Sequence, residues 1–347
     1  MQSKQNIAVV MGGPSHEHDI SIKSGKTVVD NLNRSAYTIT PIIINRNSEW
    51  IFYPDPMQKG QKTFSPDTLE PEYSRQYVSD ALEALRQKKI DCVFNAMHGA
   101  FGEDGIMQGL LEASKLPYTG SPVLASSLAM DKIAYKHVIS SAGIATARWQ
   151  TAYISCESDI PACRDSVREY LGVPCVVKTP SSGSSIGVEL CKTTDSLENT
   201  LQKMHAIDNR ILIEQYLAGR ELTCAVLGNA YSTQLRALPP TEIISKNSFF
   251  DFDAKYSSDK VEEITPANIP PDIFSAVQKT AVKIHNLLGC KGASRTDFIL
   301  HDGILSVLET NTLPGLTAHS LLPKAAHAAG ISLPELIDIL IRCSYTK

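Results

Sequence analysis

The sequence predicts an α/β domain with a mostly parallel sheet at the N-terminus, followed by α+β structure. Strand and helix patterns alternate in the first third of the chain, whereas successive antiparallel strand patterns dominate much of the remainder. At 347 residues the chain is too long for one ordinary core. Because 43% of the residues are hydrophobic and 20% are charged, we expect a fully folded chain with two or three domains.

In the N-terminal domain, short apolar runs predict strands and amphipathic runs predict helices. The predicted elements are strands at 7–11, 38–45 and 92–97 and helices at 20–32 and 79–88. Ligands of parallel sheets bind beyond the carboxyl ends of the strands. Gly12-Gly13 and His98-Gly99 stand at two such ends, so we expect part of a site there.

A boundary is predicted at Gly120-Ser121-Pro122, after which one helix carries Asp131 and Lys132. The later predicted elements are strands at 173–178, 211–217, 222–227 and 233–238, a Gly/Ser-rich loop at 179–187, a long polar loop at 239–271, and helices at 272–288 and 333–343. A hairpin pattern lies between these last two helices.

The hairpin carries polar residues at its open end. Arg295 and Asp297 share one face of its first strand, and Glu309 and Asn311 share one face of its second, because side chains alternate along a strand. Asp302-Gly303 is the predicted turn. Two carboxylates and an amide oxygen form the kind of site that Mg²⁺ prefers, and the arginine suits an anionic transition state.

The register of this hairpin decides whether the four side chains meet. A strict two-residue loop would pair Asp297 with Leu308 and turn Glu309 to the other face. A three-residue loop, or a single bulge, would pair Asp297 with Glu309 and bring all four together. The metal interpretation therefore requires one of these irregularities. The alternative is a solvated hairpin end with ordinary surface charges.

A phosphate site is predicted at the Gly/Ser-rich loop, which follows a strand that ends at Lys178. Small residues let backbone N–H groups approach phosphate oxygens, and the lysine adds positive charge. Glu214 lies in a strand where an adenine edge could meet the backbone, and Glu221 is well placed for a ribose hydroxyl. The alternative for both glutamates is a pair of surface acids.

A second phosphate motif is rejected. Ser24-Gly25-Lys26-Thr27 resembles the end of a P-loop, but that motif requires a glycine where this chain has Ile20. We expect these residues to form an ordinary helix face.

Composition and charge exclude other classes of function. The net charge of −4 gives no overall attraction to nucleic acid or to an anionic membrane. No apolar segment is long enough for a signal peptide or a membrane span, so a cytoplasmic location is expected. The eight cysteines are scattered without a C-x-x-C pair, which predicts reduced thiols.

Seven segments, in order along nearly the whole chain, resemble those of the D-alanine–D-alanine ligases of the ATP-grasp superfamily. They are GGPSHEHDIS at 12–21, HG at 98–99 with GEDG at 102–105, AMDK at 129–132, Lys178 with GSSIG at 183–187, FFDFDAKY at 249–256, RTD at 295–297, and ETNTLPGLT at 309–317 with HSLLP at 319–323. The resemblance implies a three-domain ATP-grasp architecture. Its N-terminal α/β domain, 1–120, would hold the first substrate. Two α+β domains, 121–213 and 214–347, would clamp the nucleotide, the second with a lid loop at 239–271 and the metal site.

The resemblance also implies catalytic and substrate-binding roles. Glu17 matches the acid that holds the ammonium group of the first D-alanine, and Ser184 and Tyr256 match the pair that closes the lid over the reactants. Arg295 and the N–H of Gly315 match the oxyanion donors. The residues implied to bind substrate are His98, Lys255, Ser320 and Leu321, with the last two at the carboxylate of the second substrate.

For the nucleotide and metal, the resemblance implies a further set of residues. The implied ATP-binding residues are Lys132, Lys178, Ser185, Glu214, Leu217, Glu221, Phe249 and Asn311. Asp297, Glu309 and Asn311 match the ligands of two Mg²⁺ ions, with Mn²⁺ as the other candidate. Ser182 and Gln215 stand where many relatives carry glutamate and lysine, which leaves the adenine and ribose contacts open.

The implied reaction joins two D-alanine molecules, using ATP and passing through D-alanyl phosphate, to supply a peptidoglycan precursor. The implied protein is a cytoplasmic homodimer with no nucleic-acid or membrane partner. The alternatives are ligation of D-alanine to D-serine or D-lactate, an ATP-grasp ligase for another acid, and a non-catalytic nucleotide-binding protein. The intact polar residues of the hairpin argue against the non-catalytic alternative, and Lys255-Tyr256 and Leu321-Leu322 favour D-alanine as second substrate.

Overall fold

The computed structural model describes residues 4–181, 187–245 and 261–345 and arranges their strands in three sheets. The sheets follow one another along the chain, and we call them the N-terminal, central and C-terminal sheets; they have five, four and six strands. None of the helices in these ranges combines the length and the apolar character needed to cross a membrane.

The N-terminal sheet has a parallel centre and an antiparallel edge. Its strands are β1 (Gln5–Gly12), β2 (Tyr37–Ile44), β3 (Trp50–Phe52), β4 (Tyr73–Gln76) and β5 (Cys92–Asn95), in the order β4-β3-β2-β1-β5. β1 pairs in parallel with β2 and β5, as the sequence predicts. β3 and β4 add to this core in antiparallel fashion and were not predicted. Because β1 is central, its residues 7–11 are fully buried.

Helices cover both faces of this sheet. α1 (His18–Asn31) lies on one face, and α2 (Val78–Gln87) and α3 (Ile106–Ala113) lie on the other. The last helix of the chain, α10 (Leu333–Tyr345), packs beside α1, so the chain returns to its first sheet. The thiol of Cys92 and the hydroxyl of Ser344, 3.2 Å apart, join β5 to this helix.

Two helices, and not one, precede the central sheet. α4 (Val123–Met130) ends at Asp131, and α5 (Lys132–Ser141) begins directly after it. The Asp131 carboxylate accepts hydrogen bonds from the N–H groups of Ile133 and Ala134 at 3.0 and 2.9 Å. The prediction of one continuous helix was wrong, because this side chain caps a new helix start.

The central sheet is antiparallel throughout. Its strands are β6 (Trp149–Tyr153), β7 (Cys175–Lys178), β8 (Val188–Cys191) and β9 (Arg210–Gln215), in the order β6-β9-β7-β8. α6 (Ile160–Tyr170) and α7 (Thr194–His205) bury their apolar residues against it. β7 and β8 flank the Gly/Ser-rich loop, so this sheet positions both ends of the predicted phosphate site.

The C-terminal sheet is also antiparallel. Its strands are β10 (Arg220–Leu227), β11 (Arg236–Ala237), β12 (Thr241–Ser245), β13 (Val261–Ile264), β14 (Ala293–His301) and β15 (Ile304–Asn311), in the order β13-β12-β10-β14-β15 with β11 beside β10. α8 (Pro271–Leu288) packs on it, and α9 (Leu321–Ala328) follows it. Short 3-10 helices occupy Pro56–Lys59, Pro66–Thr68 and Glu157–Asp159.

Two predictions for this part of the chain need correction. The segment 239–271 is not simply a loop, because β12 and β13 lie within it and pair with each other. Residues 246–260, between these strands, lie outside the described ranges. The strand predicted at 233–238 is reduced to the two residues of β11.

The segment just before the central sheet is hydrogen-bonded to the C-terminal sheet. Thr146 forms an isolated parallel bridge with Val307 of β15, and the Val307 N–H donates to the Ala145 carbonyl at 2.9 Å. The Thr146 hydroxyl donates to the Val307 carbonyl at 2.7 Å. These bonds hold β15 next to the elements that carry the predicted phosphate site.

Candidate active site

The hairpin of β14 and β15 contains both a tight turn and a bulge. Both turn residues, 302–303, have positive φ, 49° and 78°, as a two-residue hairpin turn requires. From this turn the strands pair regularly as far as Val307, and the next pair is Asp297 with Glu309. Leu308 is therefore an extra residue in β15, which is the definition of a bulge.

The bulge places four polar side chains on one face. Arg295 pairs with Asn311, Asp297 pairs with Glu309, and cross-strand partners share a face. The two threonines between them, at 296 and 310, are buried, with hydroxyls 2.9 Å apart. The prediction that Asp297 and Glu309 lie together is thereby confirmed, by the bulge and not by a longer turn.

Arg295 and Asp297 form a bidentate ion pair. Arg295 Nε and Nη2 donate to the two carboxylate oxygens, each at 2.9 Å, and the Thr223 hydroxyl donates to one of them at 2.5 Å. Burial alone would lower the pKa of Arg295, but the Asp297 and Glu309 charges raise it. A permanently charged guanidinium, held in one orientation, suits the stabilisation of negative charge that develops in a transition state.

The oxygen atoms at this face suit a hard cation that is bound by phosphate oxygens as well. Asp297, Glu309 and Asn311 offer two carboxylates and an amide. The Leu313 N–H donates to Asn311 Oδ1 at 2.7 Å, which fixes the amide orientation. Within the described ranges, no group of three or more His, Cys, Asp or Glu side chains could hold a metal unaided. An ion here would therefore need phosphate oxygens or water as further ligands, which is how Mg²⁺ is commonly bound.

A second cluster of charges lies at the base of the Gly/Ser-rich loop. Glu214 of β9, only 2% exposed, forms ion pairs with Lys178 of β7 and with Lys136 of α5. Burial alone would raise the pKa of Glu214, but the two ammonium groups outweigh it and lower that pKa to about 2. The alternative that Glu214 is a surface acid was wrong.

Lys136 is the member of this cluster that the sequence analysis missed. It lies on the buried face of α5 with Tyr135 and Ile139, where a lysine is rare unless it is paired. That position among apolar neighbours is the signal that could have found it. Lys132, the first residue of the same helix, donates its backbone N–H to the Pro180 carbonyl at 2.9 Å, which brings the helix start to the loop.

Leu217 and Glu221 lie where the chain passes from the central to the C-terminal sheet. Leu217 follows β9, and Glu221 is in β10, opposite Ile243 and Ile299. Both side chains are half-buried. Their contacts with a nucleotide stay predictions.

The N-terminal sheet contributes a third group at its carboxyl edge. Glu17 immediately precedes α1, and a Cβ at Gly99 would come 2.6 Å from its Oε2, so glycine leaves room for the carboxylate. The His98 ring lies between two partners, with Nδ1 3.3 Å from Glu103 Oε1 and Nε2 2.8 Å from Ser24 Oγ. Both ring nitrogens are thus engaged by the protein. Ser24 and Glu103 were not predicted as site residues.

Gly315, in the C-terminal part of the chain, lies next to His98 of the N-terminal group. A Cβ on Gly315 would come 2.9 Å from Ser320 Oγ and 3.8 Å from His98 Cε1. Ser320 stands at the N-cap of α9, which begins at Leu321, and its hydroxyl is 2.7 Å from that of Thr317. The predicted residues His98, Gly315, Ser320 and Leu321 therefore lie close together, although they come from opposite ends of the chain.

Some predicted residues cannot be placed. Ser184, Ser185, Phe249, Lys255, Tyr256 and the divergent Ser182 lie outside the described ranges. The rejected P-loop segment, 24–27, is in α1, as expected of a helix face. Gly25 packs there on Met11, and a Cβ added at Gly25 would come 2.5 Å from the Met11 Cβ.

Three sheets, with Lys178 at the base of the Gly/Ser-rich loop and an oxygen-rich hairpin, are features of the ATP-grasp class. Two family models cover most of the chain, D-ala D-ala ligase N-terminus over residues 6–121 and D-ala D-ala ligase C-terminus over residues 138–342. The chain belongs to the D-alanine–D-alanine ligase family.

Individual relatives match over nearly their whole length. The D-alanine–D-alanine ligase of Desulforudis audaxviator is 37% identical, with 99% of each chain covered. The ligase from Bacillus anthracis complexed with ATP superposes with a TM-score of 0.76 at 31% identity, covering 99% of this chain and 97% of that one. The VanG D-Ala:D-Ser ligase from Enterococcus faecalis superposes with a TM-score of 0.80 at 29% identity, covering 99% and 100%.

The buried charge cluster makes a prediction for stability. Glu214→Gln leaves two buried ammonium groups without their carboxylate and should lower the free energy of unfolding at pH 7 by about 3–5 kcal/mol. Because the folded pKa lies below the usual 4.5, the contribution of Glu214 is complete above that pH and is lost as the pH falls towards 2. The loss should therefore persist at pH 5.5 and shrink below pH 4.5, measured by urea denaturation.

A matched control is Glu83→Gln, which removes an exposed partner of Arg86 at 3.8 Å. It should change stability by less than about 1 kcal/mol. Equal effects of the two substitutions would contradict the assignment of Glu214 as a paired, buried anion.

Proposed function

We propose that this chain catalyses the ATP-dependent joining of two D-alanine molecules to form D-alanyl-D-alanine. The observation that carries the proposal is the shared face of Arg295, Asp297, Glu309 and Asn311, which the bulge creates. This face combines a fixed cation with an all-oxygen ligand set, as phosphoryl transfer requires. Membership of the D-alanine–D-alanine ligase family supports D-alanine as the substrate.

ATP would lie between the central and C-terminal sheets. Lys132 and Lys178 would contact its phosphates, together with backbone N–H groups of the Gly/Ser-rich loop. Glu221 would bind the ribose, and the chain around Glu214 and Leu217 would meet the adenine. The lysine placement supports this, since Lys178 stands at one end of the loop and the Lys132 N–H bonds to Pro180.

Two Mg²⁺ ions, or Mn²⁺, would be held by Asp297, Glu309 and Asn311 together with phosphate oxygens. When bound, they would neutralise the charge of the triphosphate and help to align it. Arg295 already bonds both oxygens of Asp297, so this carboxylate is oriented before any ion arrives.

The first chemical step is phosphoryl transfer to a carboxylate. Glu17 would hold the ammonium group of the first D-alanine, so that its carboxylate points towards the hairpin. That carboxylate attacks the γ-phosphate of ATP, which releases ADP and leaves D-alanyl phosphate. Arg295 would stabilise the charge on the transferring group, and the fixed geometry would supply much of the rate.

The second step is attack by an amine. Ser320 and Leu321 would bind the carboxylate of the second D-alanine, whose neutral amine attacks the acyl carbon. Arg295 and the Gly315 N–H would stabilise the tetrahedral oxyanion, and phosphate leaves. His98 lies beside Gly315 at this site, and the Ser24 hydroxyl and the Glu103 carboxylate hold its ring. No cysteine is needed as a nucleophile.

Further parts of the proposal rest on family membership alone. Ser184 and Tyr256 would close the site over the reactants, with Lys255 and Ser185 near the phosphates and Phe249 near the adenine. The product would serve peptidoglycan synthesis in the cytoplasm, and the enzyme would act as a homodimer.

A second candidate is ligation of D-alanine to D-serine. The superposition on a D-Ala:D-Ser ligase at 29% identity raises it, but the full-length relatives of higher identity are D-alanine–D-alanine ligases and do not favour it. The two reactions share the first step and differ only at the second substrate. They are therefore separated by substrate preference and not by the hairpin geometry.

Phosphate release tests the proposal directly. The purified chain is assayed with ATP and Mg²⁺ against a panel of D-alanine, D-alanine with D-serine, D-alanine with D-lactate, and L-alanine, with products identified by mass spectrometry. We expect release with D-alanine alone and D-alanyl-D-alanine as the product. Release only when D-serine or D-lactate is added would establish the alternative, and no release with any D-amino acid would refute ligase activity.

Glu309→Gln should reduce turnover by at least about 100-fold, because it removes one negative oxygen from the proposed metal site. The steady-state rate is measured at saturating substrates and several Mg²⁺ concentrations. Glu335→Gln, on the exposed side of α10, is the matched control and should keep full activity. Near wild-type turnover by the Glu309 variant at ordinary Mg²⁺ would exclude the proposed metal role.

A further inference from the structure

Three buried charges at the base of the Gly/Ser-rich loop carry an inference about phosphate binding. The Glu214 carboxylate lies between two ammonium groups, Lys136 on one oxygen and Lys178 on the other. The side chains of Lys136 and Glu214 are 1% and 3% exposed, whereas that of Lys178 is 12% exposed. Of the two lysines, Lys178 is therefore the more accessible to a ligand.

Lys136 is anchored away from the loop. Its Nζ donates to the Thr146 hydroxyl and lies 3.4 Å from the Val307 carbonyl, next to the bulge in β15. Protein oxygens from the central and C-terminal parts thus surround its ammonium group. Its side chain is 1% exposed, so these protein contacts enclose it.

Lys178 stands at the base of the loop. It is the last residue of β7, and the next residue, Thr179, donates its N–H to the Gly187 carbonyl at 2.9 Å, which closes the base of the loop. Burial alone would lower the pKa of Lys178, but the charges of Glu214, Glu309 and Glu221 raise it. The ammonium group therefore stays charged, and the Lys178 side chain is more exposed than those of Lys136 and Glu214.

The balance of charge in this cluster depends on Lys136. Burial lowers the pKa of Lys136, and the Glu214 charge opposes that shift. With both lysines protonated, two ammonium groups and one carboxylate carry a net charge of +1, whereas Lys178 and Glu214 alone would be neutral. In a site of low dielectric constant, a carboxylate that is not shared would hold Lys178 and cancel its charge.

We propose that Lys136 is a positioning residue for the phosphates of ATP: it neutralises Glu214, so that the charge of Lys178 stays available to the nucleotide. This inference rests on the proposed function, because it requires ATP in this cleft. It assigns a role to a buried lysine that never touches the ligand.

The test separates this role from simple support of the fold. Lys136→Met keeps the length and apolar stem of the side chain and leaves the neutral Glu214–Lys178 pair intact. Lys136→Gln, which keeps a donor for Thr146, serves if the first variant does not fold. In the double variant Lys136→Met with Glu214→Gln, Lys178 regains its uncompensated charge. Lys283→Met is the matched control, since this exposed lysine donates to Ala142 next to the same helix.

Binding is measured by calorimetry with a non-hydrolysable ATP analogue and with adenosine, which has no phosphates. We expect Lys136→Met to bind the analogue about 10- to 100-fold more weakly, as loss of a charged contact implies, and to bind adenosine like the wild type. The double variant should bind the analogue more tightly than Lys136→Met does, and Lys283→Met should bind both ligands normally.

Three results would overturn the inference: unchanged affinity of Lys136→Met for the analogue, an equal loss for analogue and adenosine, or a double variant as weak as the single one. Failure of the proposed function gives a different result: the wild-type chain would not bind the analogue, or would bind it and release no phosphate with D-alanine. Thermal unfolding of each variant confirms that folded proteins are compared.

Discussion

The side chains of a β-strand alternate between two faces, so a shift of one residue moves every later side chain to the other face. In β15 that shift occurs at Leu308, which has no partner in β14. Beyond it, Glu309 and Asn311 face the same way as Arg295 and Asp297, and before it Val307 stays in the core. The whole candidate site depends on this register, because without it one carboxylate and one amide would point away from the arginine.

A second constraint is that buried charges must be paired. The structure meets it with partners from different parts of the chain: Arg295 with Asp297 in one strand, and Lys136 and Lys178 around Glu214 from a helix and two strands. The second cluster therefore links the helix before the central sheet to the sheet itself. In each group one cation stays partly exposed, Arg295 at 16% and Lys178 at 12%.

Local patterns predicted the parallel core, the hairpin and its polar residues, because the alternation of side chains and the turn residues can be recognised from neighbouring positions in the sequence. They did not determine the register, since a bulge depends on packing across two strands. Lys136 was missed because its partners, Glu214 and Val307, are far away in sequence. The helix break at Asp131 was missed because its capping bonds are made only once the turn forms. β12 and β13 were missed because the many polar residues of this segment are typical of a loop.

Site assignments that depend on tertiary contact came from resemblance and not from pattern. Ser24 and Glu103 enclose the His98 ring, yet neither has a local signal, because one is inside a helix and the other in a turn-rich segment. Family motifs point to His98 but say nothing of which atoms hold it. The structure adds that point: the Ser24 hydroxyl and the Glu103 carboxylate hold the two ring nitrogens.

The central claim is that the bulge at Leu308 builds a metal-phosphate site from Asp297, Glu309 and Asn311. A crystal structure with Mn²⁺ and a non-hydrolysable ATP analogue, with the ion located by its anomalous signal, tests it most directly. The account predicts Mn²⁺ at about 2.0–2.2 Å from oxygens of these side chains and from the terminal phosphates, as expected for a small hard cation. Mn²⁺ bound only by the phosphates, or a hairpin with Glu309 turned to the opposite face, would contradict it.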